Sequence, residues 1–231
     1  MRSSRSPRLL SLAVGLCLAT FGAVAVPASA SPAAPQDGVD YVTLRQPQPV
    51  QASGKQVEVI EFFMYHCPVC NALEPQFEAW VKQEGDRIRL RRVHIPYTGP
   101  NDPEAHLYLT LEALGKLGEM HEKVFHAVHV QRIPLHEDAA IVDWVAKNGI
   151  DRAAFLNAWN SFGVVTRLRQ LGSVAANYQV DSAPTLIVDG RYRTSPGQVA
   201  PQTPNPNDRN ALFKATLEVA DKLVDKAAQS K

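Results

Sequence analysis

The sequence predicts an α/β protein in which a strand–helix–strand unit is separated from a closing hairpin and helix by a block of helices. Three observations carry this. Val57 to Tyr65 (VEVIEFFMY) is a β-branched and aromatic run of the kind that fills an interior strand covered on both faces. Asp102 to about Tyr178 has almost no strand character and is punctuated by Gly115, Gly118, Pro134, Gly149 and Gly163. Strand character then returns at Thr185 to Val188, which runs into the tight-turn dipeptide Asp189-Gly190.

Residues 1–30 read as an export signal rather than as part of the fold. Arg2, Arg5 and Arg8 form a basic start, Leu9 to Val26 is small and apolar, and Ala28-Ser29-Ala30 supplies a cleavage pattern. An uncleaved membrane anchor is the competing reading, because the apolar stretch approaches the length of a membrane span. Cleavage after Ala30 removes Cys17 and leaves Cys67 and Cys70. It also removes three arginines, so 21 basic residues stand against 23 acidic ones. That balance gives no electrostatic case for a nucleic-acid partner or for an anionic membrane surface. The remaining chain of about 200 residues buries a sizeable core without disulfide support. A single close cysteine pair in an exported protein therefore reads as a tool rather than a staple.

Residues 31–38 form a Pro/Ala-rich leader, and Val39 to Leu44 is a short first strand. After the interior strand, Pro68 suits a first helical position, and Leu73, Phe77, Trp80 and Val81 recur at helical spacing. Pro75 lies inside that pattern and is expected to kink it. Arg87 to Ile95 reads as the next strand. Helices are expected over 105–116, 137–147, 152–159 and 164–177. The hairpin returns through Arg191-Tyr192-Arg193, a loop covers 196–208, and an amphipathic helix runs from about Asn210 to Lys226. Trp144, Phe155, Trp159 and Phe162 are expected to pack the helical block.

Cys67-Pro68-Val69-Cys70, directly after a strand and opening a helix, is the strongest chemical signal. The free N–H groups and dipole of a helix start stabilise a thiolate, and only the thiolate attacks a disulfide. Cys67 is thus expected to attack and Cys70, one turn on, to resolve. A purely structural disulfide is the weaker reading, since a loop this short restrains little of the unfolded chain. Half a zinc site is another, with only His66 and His94 nearby to complete it. His121, His126 and His129 suggest a metal cluster, although histidines at such spacing usually serve a helix surface or interface. Glu61 interrupts the apolar strand. If buried there it needs a partner, and Arg92 on the following strand is placed to be one. Pro184, opening the run Thr185-Leu186-Ile187-Val188, reads in isolation as an ordinary trans proline at a strand start.

Taken together, EFFMYHCPVCNALEP and the distant YQVDSAPTLIVDGRY resemble the DsbA family of exported dithiol oxidases. The resemblance covers essentially all of the chain beyond residue 30. It implies a thioredoxin-like fold split by an inserted helical domain. The corresponding division is 31–56 for the leader and first strand, 57–98 and 164–231 for the two parts of the thioredoxin-like domain, and 99–163 for the insertion. It also implies a catalytic set of Cys67, Cys70, Pro184 and Glu61. Pro184 would be a cis-proline facing the dithiol, and the Ala183 backbone would pair with an extended substrate. His66 joins Ala183 and Pro184 on the substrate side, and Arg92 is the buried partner of Glu61.

The implied activity is donation of a disulfide to reduced, newly exported proteins in the periplasm by a monomer that needs no cofactor. A quinone-linked membrane reoxidase of the DsbB type would be its partner. Within the same fold the alternative is an isomerase or reductase. From another class, it is a copper- or zinc-binding module using His66, Cys67 and Cys70.

The chain departs from the family pattern at two positions. Val69 stands where the family usually has histidine, and Ala183 where valine is common. Val69 cannot donate a hydrogen bond or charge to the Cys67 thiolate, so the couple is expected to be less oxidising than a family member with the usual dipeptide. Val69→His should raise the reduction potential by roughly 30 mV, the equivalent of about 1.4 kcal/mol for two electrons, and lower the Cys67 pKa. Equilibration with glutathione and a thiolate titration measure both. Unchanged values would assign the stabilisation to another group.

Overall fold

The computed structural model describes residues 31–231, so the export signal and Cys17 lie outside the described residues. One five-stranded sheet organises the protein, in the order β1-β5-β4-β2-β3. Its strands are β1 (Val42–Thr43), β2 (Val57–Phe63), β3 (Ile88–His94), β4 (Thr185–Val188) and β5 (Tyr192–Thr194). β2 and β3 are parallel, which requires the crossover helix α1 (Pro68–Glu84). The β2–β4, β4–β5 and β1–β5 pairs are antiparallel.

Every residue of β2 is buried, as the uninterrupted apolar run anticipates. Alternation along the strand divides its side chains between two cores. Val57 and Val59 join Leu186 and Val188 of β4 beneath α1 and α8 (Arg209–Ala228). Ile60, Phe62 and Ile187 pack on the opposite side with the helices inserted between β3 and β4. Those helices are α2 (Pro103–Ala113), α3 (Leu117–His129), α4 (Asp138–Lys147), α5 (Arg152–Trp159) and α6 (Phe162–Asn177). Burying one such large aliphatic or aromatic side chain stabilises the fold by about 1.5–3 kcal/mol.

Helix caps explain most differences from the expected boundaries. The Asp102 carboxylate accepts from the Ala105 N–H, so α2 starts at Pro103, before the expected 105. It ends early because Gly115 adopts φ +66°. Ser161 caps α6 in the same way and Asp208 caps α8. Ser195 caps a short α7 (Pro196–Val199) in a segment expected to be loop. β1 is shorter than expected, since Gly38, at φ +79°, turns back to donate to the Tyr41 carbonyl at 2.8 Å. Pro75 leaves the Asn71 carbonyl without an intrahelical donor, yet α1 continues to Glu84. Trp144, Phe155 and Trp159 are buried in the helical block as expected. Phe162 is not: at the first position of α6 it is 87% exposed.

The hairpin turn illustrates a strict local requirement. Asp189 and Gly190 both have positive φ, at 52° and 63°. A Cβ on Gly190 would lie 2.3 Å from the Gln48 carbonyl oxygen. Gly190→Ala is therefore expected to destabilise the protein by about 1–3 kcal/mol, measured by urea unfolding. An unchanged midpoint would show that the 45–51 loop yields freely.

Candidate active site

β2 ends at Phe63, and four residues later the chain reaches Cys67, the N-cap of α1. Its sulfur takes the place of the oxygen that usually caps a helix, accepting the Cys70 N–H at 3.1 Å. Both cysteines are free thiols. Hydrogen bonding from the Cys70 thiol and from the Cys70 and Val69 N–H groups, with the field of the His66 ring, outweighs burial and lowers the Cys67 pKa to about 6. Cys70 is fully shielded, and burial followed by its interaction with Cys67 pushes its thiol far above the usual range. The two sulfurs of one motif are thus electrostatically opposite. Val69 points outward and is 40% exposed.

The Ala183–Pro184 peptide is cis. Cys67 donates to the Ala183 carbonyl oxygen at 3.6 Å, so residues 116 apart in sequence meet at the sulfur. A trans bond, the expectation for Pro184 taken alone, is not what the structure has.

Glu61 is fully buried on β2, which lies between β4 and β3. In the β2–β3 register it sits opposite Arg92, whose Nε donates to it at 2.8 Å. The same guanidinium donates to Glu74 at 3.1 Å and to Glu78. Burial first, then the neighbouring carboxylate, raises Glu61 to about 7 despite Arg92. Burial likewise raises Glu74 to about 7. An open groove of about 690 Å³ reaches Glu74, Arg92 and His121.

The expected histidine cluster is divided. His121 Nδ1 lies 3.0 Å from the Tyr65 hydroxyl, His129 Nε2 lies 2.7 Å from the Tyr65 carbonyl oxygen, and His126 is exposed. Burial holds His121 at about 4 and His94 at about 3, so both rings are neutral. Among the described residues, Glu61, Glu74 and His121 come within metal-ligand spacing of one another, rather than His66, Cys67 and Cys70. The Arg92 guanidinium already supplies the positive charge on both carboxylates.

Sequence reasoning missed Glu74 and Glu104. Glu104, in the first turn of α2, bonds His66 through ring and backbone, with Nδ1 at 2.6 Å and the N–H at 3.1 Å. Asp102-Pro103 signals a helix start that puts an acid at Glu104, but nothing in the sequence links that position to His66.

Glu61 yields a pH-dependent prediction. The unfolded chain releases this proton near pH 4.5, whereas the folded protein keeps it up to about pH 7. The contribution of this group is thus complete below pH 4.5 and is lost as pH rises through 7. Glu61→Gln keeps the shape and abolishes the titration. It should match the wild type near pH 4.5 and exceed it by about 3 kcal/mol at pH 8, measured by urea unfolding. A variant less stable than wild type at pH 8 would mean that the Arg92 pairing outweighs burial.

The comparisons with known proteins agree with this geometry. The profile of the DSBA-like thioredoxin domain family matches residues 104–205, from the helical block through the cis-proline and hairpin. The thiol:disulfide interchange protein DsbA of Burkholderia cepacia is 39% identical over 179 residues, 78% of this chain and 84% of that protein. The DsbA of Bordetella parapertussis is 38% identical over 97% of this chain and 98% of its own length. The crystal structure of Pseudomonas aeruginosa DsbA superposes with a TM-score of 0.72 at 32% identity, covering 84% of this chain and 96% of that one. Identity at this level, over nearly the full length of the relatives and on one shared fold, settles the assignment: the chain belongs to the DsbA family of thiol:disulfide interchange enzymes, with a thioredoxin-like fold carrying an inserted helical domain.

Proposed function

We propose that this oxidoreductase works in the direction of oxidation, passing the Cys67–Cys70 disulfide to reduced proteins after their export to the periplasm. The observation that carries this reading is the contrast between the sulfurs: Cys67 caps a helix with its pKa lowered to about 6, while Cys70 is buried and pushed far upward. A disulfide is strongly oxidising when its reduced form is stabilised, and a stable Cys67 thiolate at neutral pH does that.

A substrate thiolate attacks Cys67 Sγ of the disulfide, the Cys67–Cys70 bond breaks, and a mixed disulfide forms. The Cys70 sulfur departs with the electron pair and takes a proton. A second substrate thiolate then attacks the substrate sulfur, and Cys67 leaves as the thiolate. Two electrons reach the enzyme and the substrate gains one disulfide. Glu61, buried with Arg92 and at the pKa of a neutral-pH proton carrier, is suited to supply the Cys70 proton and recover it on reoxidation. The Ala183 backbone, beside the sulfur, would pair with an extended substrate chain, with Pro184 and His66 at the same mouth. Export through residues 1–30 and reoxidation by a DsbB-type quinone-linked membrane protein complete the cycle. Among the described residues, no helix is long and apolar enough to cross a membrane.

The division of labour is testable by trapping. Cys70→Ala should accumulate mixed disulfides with exported proteins, whereas Cys67→Ala should trap few or none, read on non-reducing gels. In the reduced wild type, Cys67 should be alkylated selectively at pH 7. Equal trapping by both variants would overturn the assignment.

A further inference from the structure

Val69 leaves the dithiol without the polar dipeptide residue usual in the family, and a different acidic–basic pair stands beside the sulfur. Glu104 is a buried carboxylate, its side chain only 6% exposed, in the first turn of α2 where the helix dipole favours its charge. One of its oxygens lies 2.6 Å from His66 Nδ1 and accepts the His66 N–H at 3.1 Å. Among the described residues, no lysine or arginine lies within 4.0 Å of it. Its ionisable neighbours within that distance are His66 and, at 3.9 Å, His94. His94 cannot serve as the counter-charge, because burial keeps it neutral and its Nε2 accepts the Tyr65 N–H at 3.1 Å. The charge of Glu104 therefore falls to His66, the residue next to Cys67.

We propose that Glu104 is a positioning residue that keeps His66 protonated beside Cys67, and that this imidazolium replaces the missing dipeptide histidine as the side-chain cation stabilising the attacking thiolate. This rests on the thiol:disulfide exchange reading and deepens it. The groups facing the pair are Asp102 at the N-cap of α2, Tyr97 in the preceding loop with its ring 4.9 Å from the His66 ring, His94 at the end of β3, and Cys67. The Glu104 hydrogen bond raises the His66 pKa against burial, and its charge, Asp102 and Cys67 add to the rise. The effect is mutual, since the His66 ring lowers Cys67. A neutral His66 would leave a buried carboxylate near the sulfur with no compensating cation, and that carboxylate would repel the thiolate. The two residues thus have opposite signs of influence on Cys67 when separated, and act favourably only together.

That opposition gives a signature a structural role does not produce. The reduced wild-type protein and the variants His66→Gln, Glu104→Gln, the double variant and His66→Arg are titrated by thiolate absorbance and equilibrated with glutathione. The His66 ring is followed by NMR. His66→Gln should raise the Cys67 pKa and shift the glutathione equilibrium about tenfold towards the disulfide form, the equivalent of about 30 mV. Glu104→Gln should shift both less, in the same direction, and return His66 to the usual imidazole range. The double variant should resemble Glu104→Gln, milder than His66→Gln alone, and His66→Arg should keep the Cys67 pKa near wild type. Additive effects, or an unchanged thiolate in His66→Gln, would overturn the proposal. So would a wild-type His66 that titrates like a free imidazole. Oxidation of a reduced peptide is measured in parallel. A wild-type protein inactive in that assay would refute the oxidase reading, whereas an active one with an indifferent His66 would refute only this pair.

Discussion

The structure depends on one junction, where the buried central strand hands over to the helix that must cross the sheet. A helix start exposes N–H groups that need an acceptor, and at this junction the acceptor is the Cys67 sulfur. The requirement to satisfy those donors and the requirement to stabilise a thiolate are met by the same contact. Moving one turn along the helix reverses the environment, because Cys70 points into the core formed by β2 and the inserted helices. An acidic and a shielded sulfur thus arise from one helix start placed directly after an interior strand.

Around that junction lie two ionic groups with different exposure. Near the dithiol, Arg92 serves Glu61, Glu74 and the more exposed Glu78, and burial raises the first two carboxyl groups to about 7. At the mouth, Glu104 serves the partly exposed His66. Buried polar groups persist when they are paired, and each of these is tied to a hydrogen-bonded partner from a different element. Between them a ring cluster centred on Tyr65 fixes the loop before Cys67. Its rings include Phe63 at 5.1 Å and Phe125 at 5.2 Å, and His94 and His129 hold the Tyr65 backbone. The loop is therefore positioned by the helical block as well as by the sheet, which couples the inserted helices to the geometry of the sulfur.

Legibility followed the range of the interaction. The Val57–Phe63 strand, the helix from Pro68, α5 at 152–159, the strand 185–188 and the Asp189-Gly190 turn were readable because each is specified by neighbours in sequence. Boundaries shifted by one to three residues where a cap or a positive-φ glycine set the end, as at Asp102, Ser161 and Gly115. Phe162 was misread because an aromatic residue next to a buried set looks like part of it, whereas its place in the first turn of α6 leaves it outside.

The sequence by itself determined the strand–helix placement of the dithiol, the split of the α/β unit by helices, and the identity of the residues able to do redox chemistry. Those are consequences of local propensity, periodicity and side-chain type. Only the tertiary structure decided that Glu61 and Arg92 are opposite one another and buried with Glu74, that the Ala183 carbonyl meets Cys67, and that Glu104 holds His66. The reason is physical: each is a pairing of charges or hydrogen-bonding groups 18 to 116 residues apart in sequence. Strand register and helix docking set such pairings, and no window of sequence contains them.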